Sequence, residues 1–86
     1  MEFAYTYTIA PEFDTEAFWQ TAAKLDMILP QELPRELILD PFNEFLIQIY
    51  GTTGSKVRVV CDWEIGAVFV ESDINLDAVL RADTEI

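Results

Sequence analysis

Residues 45–72, FLIQIYGTTGSKVRVVCDWEIGAVFVES, constrain the fold more than any other part of the chain. Three segments rich in β-branched and aromatic residues follow one another, separated only by short breaks that contain glycine. A break that short permits a hairpin but not a crossover, so the segments must lie antiparallel and adjacent. FLIQIY (45–50) is apolar on nearly both faces, the pattern of a central strand covered on both sides. KVRVVCDWEI (56–65) alternates, with Val57, Val59, Cys61, Trp63 and Ile65 on one side and Arg58, Val60, Asp62 and Glu64 on the other. Gly66 interrupts the pattern and AVFVES (67–72) resumes it.

A meander with an apolar face needs a cover, and the N-terminal half supplies one. EFAYTYTIA (2–10) has strict period two, with Phe3, Tyr5, Tyr7 and Ile9 facing one way, and Pro11 ends it. In the next segment Asp14 reads as an N-cap, Glu16 suits the positive helix end, and Phe13 and Phe18 form a hydrophobic staple. The helix is expected over 15–29, halted by Pro30, with Phe18, Ala22, Leu25, Ile28 and Leu29 as its buried stripe. Trp19, Ala23 and Met27 form a second apolar line on another side. Either the proline-rich segment folds over it or another chain does, using an aromatic and an adaptable methionine. Residues 30–44 carry three prolines and four acids. The spacing of Glu32, Glu36, Asp40 and Glu44 would make an acidic ridge on a continuous helix, but Pro34 and Pro41 forbid that helix. A helical turn from Pro34, or a short extended piece around 37–39, is expected instead.

SDINLDAVL (72–80) begins like a calcium loop, with Asp73, Asn75 and Asp77 at alternate positions. Counted from Asp73, however, the required glycine is Ala78 and the bidentate glutamate is Thr84. A helix start accounts for more of the letters: Asn75 caps, Asp77 meets the positive end, Ile74 and Val79 staple, and Leu76, Val79 and Leu80 are buried. Together these elements predict one compact α+β domain over 1–86. It has two layers: about four mostly antiparallel strands in β-α-β-β-β-α order, one long helix packed on the sheet, and a short C-terminal helix.

Little in the chain looks like chemistry. GTTGSK (51–56) has the wrong spacing for a phosphate-binding loop and reads as a hairpin turn. Lys56 and Arg58 nearby are expected to pair internally with Asp62 or Glu64. Asp62 and Glu64 on one strand face would lie about 6.5–7 Å apart, within the range of glycosidase carboxylates. Paired acids on a solvent face are nevertheless ordinary. Cys61 points inward with Val59, as an inert thiol would. No histidine is present, which removes the commonest acid–base group and transition-metal ligand. No catalytic residue, metal site or cofactor is therefore expected, and the chain reads as a non-enzyme.

Charge is the remaining signal. Sixteen acids oppose five bases, for a net charge of −11 on 86 residues. Such a surface disfavours direct binding to nucleic acid or an anionic membrane. It favours rapid, salt-sensitive encounter with a cationic protein. One cysteine, no apparent signal segment and no long apolar run point to the cytoplasm. The expected function is a small acidic binding protein, an inhibitor or adaptor for a basic partner in the manner of a nuclease-toxin antidote or a nucleic-acid mimic. The candidate contact residues are Trp19, Met27, Glu32, Glu36, Asp40, Glu44, Asp62 and Glu64. The alternative is a homo-oligomeric structural domain whose acidity is incidental, assembling through Trp19, Ala23 and Met27 or through the edge at 3–9.

Overall fold

The computed structural model describes residues 3–42, 44–52 and 55–80. The elements in chain order are β1 (Tyr5–Ala10), α1 (Thr15–Ile28), β2 (Arg35–Leu39), β3 (Phe45–Thr52), β4 (Ser55–Asp62), β5 (Ala67–Ser72) and α2 (Asp77–Leu80). The strands form one antiparallel sheet in the order β1-β5-β4-β3-β2, and α1 lies on one face of it over β4. This is the expected two-layer α+β fold with one more strand. The addition, β2, comes from the proline-rich segment: Arg35–Leu39 pairs with β3 from Arg35↔Tyr50 to Leu39↔Leu46. Pro34 and Pro41 lie just outside this ladder, where their missing amides do no harm. The extended piece expected around 37–39 is the second half of this edge strand.

The helix begins as its sequence dictates. The Asp14 carboxylate accepts from the Ala17 amide at 3.1 Å, satisfying one of the first-turn donors. Phe18, Thr21, Ala22 and Leu25 are buried, followed by Leu29 at the cap. Ile28, assigned to the stripe, is exposed, because Leu25 and Leu29 already fill the i, i+4 line. Tyr50 is fully buried and its hydroxyl donates to the Ala22 carbonyl at 2.8 Å, tying sheet to helix. The line Trp19, Ala23 and Met27 stays exposed, since the segment expected to cover it is drawn to the sheet edge.

Two expectations for β4 fail at its end. The strand stops at Asp62, so Trp63 and Ile65 are not core residues but lie in the β4–β5 turn, 63% and 64% exposed. Asp62 itself causes the stop. Its carboxylate accepts from the amides of Glu64 (2.8 Å) and Ile65 (3.1 Å), folding the chain back. Gly66 completes the turn at φ +75, a left-handed conformation that favours glycine. At the other end, β1 carries a bulge between Thr8 and Ala10, so Ala10 takes the core position expected of Ile9. The tip of the β3–β4 hairpin, 53–54, and the first expected strand residue, Glu2, lie outside the described residues.

The stretch 72–80 is held by its own polar side chains. Asp73 accepts from the Lys56 amide at 3.1 Å, and Asn75 caps α2 through the Asp77 amide at 2.8 Å. Leu76 is buried, and its amide donates to the Tyr7 hydroxyl at 2.8 Å. The carboxylate and amide that resemble calcium ligands thus serve the backbone. Ile74, expected to staple, remains exposed; Leu76 before α2 and Leu80 within it are buried, and Val79 is half-buried.

The sheet's two faces differ in their cover. The helix side carries the core: Tyr7, Val70, Val59, Leu46, Tyr50 and their neighbours. Opposite it no element packs among the described residues, although β3 was expected to be covered on both sides. Cross-strand register lines up Ile38, Ile47, Val60, Phe69 and Thr8 on that open face, one from each strand. The adjacent row is Glu36, Ile49, Arg58, Glu71 and Thr6. There Arg58 pairs with Glu71 at 2.6 Å and stacks on Phe3. The expected partners of Arg58, Asp62 and Glu64, are replaced by its cross-strand neighbour.

Candidate functional site

In an antiparallel sheet alternate connections fall at the same end. Here the β1–α1 link, the β2–β3 turn and the β4–β5 turn share one end. The contacts agree: Trp63 donates its amide to the Glu44 carbonyl at 2.8 Å, and its ring meets the edge of Phe13 at 5.3 Å. Glu12, Asp14 and Glu16 lie on the link and first helical turn, Asp40 and Glu44 on the second connection, and Asp62 and Glu64 on the third. These seven carboxylates define an acidic pole. The described cations are elsewhere. Arg35 opens β2 and Lys56 and Arg58 open β4, all at or near the far end, while Lys24 is about 13 Å up the helix from Thr15.

The two turns follow one plan. Asp40 accepts from the amides of Phe42 (3.2 Å) and Glu44 (2.9 Å), as Asp62 does from Glu64 and Ile65. Each aspartate therefore shapes its loop. Each loop then presents an aromatic ring and a glutamate: Phe42 and Glu44 in one, Trp63 and Glu64 in the other. Phe42 is 80% exposed, and Ile65 joins the two rings at the surface. Large apolar side chains ringed by charges of one sign are the composition of an interface anchor.

Of the eight candidate contact residues, Asp40, Glu44, Asp62 and Glu64 come together at this pole. Asp62 and Glu64 do not share a strand face, because Glu64 is in the turn, so the carboxylate pair of a glycosidase does not form. Glu32 and Glu36 lie towards the far end, in the turn after α1 and on β2. Trp19 and Met27 are on the outer side of α1, with Met27 84% exposed. The residues that sequence reasoning missed are Phe42, Ile65, Glu12 and Glu16, together with the exposure of Trp63. The signal for the aromatics was present: DPFNE (40–44) and DWEIG (62–66) both place an aromatic within two residues of a turn-forming aspartate.

The remaining reactive groups are enclosed. Cys61 is fully buried, and burial is the main cause pushing its thiol above the ordinary value. Tyr50 is raised further, first by burial and then by the negative field of Asp26. A shallow depression of ≈ 300 Å³ lies at the far end, lined by Pro34, Arg35, Glu36, Ile49 and Gly51. Arg35 is engaged there, by Asp26 at 3.1 Å and by the Tyr50 ring at 5.2 Å. Among the described residues no helix is long and apolar enough to cross a membrane. No family model, curated protein or solved structure matches the chain.

Proposed function

We propose that this protein is a small acidic, non-enzymatic inhibitor or adaptor that binds a basic protein through its acidic pole in the cytoplasm. One observation carries the reading: seven carboxylates gather at one end of the sheet with no described cation among them, around exposed Phe42, Trp63 and Ile65. A merely solubilising charge has no reason to leave one sheet end without a described cation, nor to surround unburied aromatics. The charges steer a cationic partner and fix its orientation, while the aromatic side chains supply the area lost from water. Both features suit a nuclease-toxin antidote or a mimic of nucleic acid, since the partner of either presents a basic cleft.

The test is capture of lysate proteins on the immobilised chain at low and high ionic strength, beside a variant with Glu44→Gln, Glu64→Gln and Trp63→Ala. The aspartates are left in place because they hold the turns. A discrete basic protein is expected on the parent at low salt, lost at high salt and lost on the variant. Retention of no cationic protein at low salt, or equal retention by the variant, overturns the proposal.

A further inference from the structure

The open face of the sheet carries an apolar row through its middle, between rows that hold charges. Its middle row, Ile38, Ile47, Val60, Phe69 and Thr8, crosses all five strands without a charge. Phe45 and Ile49 flank it on β3. An antiparallel sheet that faces water on one side normally alternates apolar and polar residues, and β3 does not, with Phe45, Ile47 and Ile49 all on the open side next to Val60 and Phe69. Val60 at the centre of the middle row is only 5% exposed and Ile38, Ile47 and Phe69 around it are half-buried, a contiguous apolar strip of the kind that marks a contact.

We infer that this face is the interface of a homodimer, in which a second copy packs sheet on sheet with its strands running the opposite way. Size and charge argue for this occupant. Five strands about 4.8 Å apart, five to eight residues long and rising about 3.3 Å per residue, give a face of roughly 20 Å by 16–26 Å. Two such faces bury on the order of 1,000 Å², the lower bound for a specific interface. Aligned sheet packing keeps the strand directions of the two copies within about 30°.

Charge then selects between the two ways of superposing them. Along β4 the open face reads Lys56, Arg58, Val60, Asp62: two cations, an apolar centre, an anion. A two-fold axis along the middle row sets Asp62 of each copy over Arg58 of the other. It also brings Phe45 over Ile49. An axis parallel to the strands would instead oppose Asp62 to Asp62 and Arg58 to Arg58. Along the central strand β4 only the first arrangement sets opposite charges together, as a self-complementary isologous contact requires. It also sends the two acidic poles to opposite ends, which limits repulsion between chains of charge −11. Of the pole carboxylates the contact uses Asp62, and the exposed loops and first helical turn stay open, so the dimer does not rest on the partner reading.

Sedimentation equilibrium on the purified chain reads the result directly. A species of twice 9.8 kDa is expected. Its association should strengthen with added salt, because screening relieves net repulsion while apolar burial persists. This is the opposite salt response to binding of a basic protein, so failure of one proposal is distinguishable from failure of the other. Ile47→Thr with Phe69→Thr should give a monomer with an unchanged circular dichroism spectrum, since both keep strand propensity at half-exposed positions. Arg58→Met tests orientation: it weakens the opposed dimer roughly tenfold through two lost ion pairs. In the arrangement with like charges facing, it would tighten association. A monomer at the highest concentration reached, or a Thr variant that remains dimeric, overturns the inference.

Discussion

If the acidic pole exists to meet a partner, it is held together at a cost in stability, and removing part of it should stabilise the free protein. The chosen perturbation is Glu44→Gln with Glu64→Gln, because neither side chain shapes its own turn, whereas Asp40 and Asp62 do. Two unit charges about 10 Å apart in water repel by about 0.4 kcal/mol. The two glutamates repel each other and five further carboxylates at the pole. At about 0.1 M salt each term falls to roughly a third. Summed over these pairs and discounted for repulsion already present in the unfolded chain, the relief is about 1 kcal/mol. For a domain of this size that is a rise of about 4–8 °C in Tm. The assay is thermal unfolding followed by circular dichroism in a salt series. Near 1 M salt, where the screening length is about 3 Å, parent and variant should converge. A variant no more stable than the parent at low salt would refute the reasoning. So would a gain that survives high salt, since the effect would then not be electrostatic.

The other outcomes follow from individual contacts. Asp62→Ala removes the acceptor of two turn amides and should cost about 1–2 kcal/mol in urea unfolding, while Asp62→Asn keeps an acceptor oxygen and should lose less. Tyr50→Phe removes a buried hydrogen bond to the Ala22 carbonyl, which keeps its helical partner, and should cost about 0.5–1.5 kcal/mol. Folding raises the Tyr50 hydroxyl above its ordinary 10.0, so the unfolded chain gives up that proton first. The contribution of the neutral phenol is therefore complete below about pH 10 and is lost as pH rises towards the folded value, so alkaline unfolding should be shallower in Tyr50→Phe. Phe42→Ala and Trp63→Ala should change stability little, by about 0.5 kcal/mol or less for Phe42, because these rings lie largely outside the core.

Period-two patterning and capping grammar were enough to locate β1, α1, the three-strand meander and α2, because each depends on residues close in sequence. Asp14 and Asn75 act as the caps their positions suggested. What escaped depends on contacts distant in sequence. Arg35–Leu39 has no strong strand signature of its own and becomes a strand only because β3 offers a ladder. Trp63 and Ile65 continue the inward alternation of β4 in letters, yet the Asp62 carboxylate ends the strand before the pattern does. The apolar second face of FLIQIY was legible as a surface that needs a cover. Its letters do not specify that no element among the described residues packs there.

The missed strand explains why the candidate site was half legible. Whether two loops of an antiparallel sheet meet is a question of parity, since connections alternate between its ends. With β2 omitted, 30–44 is one undivided connection, and Glu32, Glu36, Asp40 and Glu44 appear as a single acidic series. Inserting five residues of strand divides it. Glu32 falls to the end that holds Arg35 and Lys56, and Asp40 and Glu44 fall to the end that holds Asp62, Glu64 and the start of α1. The make-up of the acidic pole is thus encoded in which connections share its end of the sheet, and it becomes visible only once the strands are counted correctly. A fourfold spacing that no helix could use is divided by the edge strand between the two ends of the sheet.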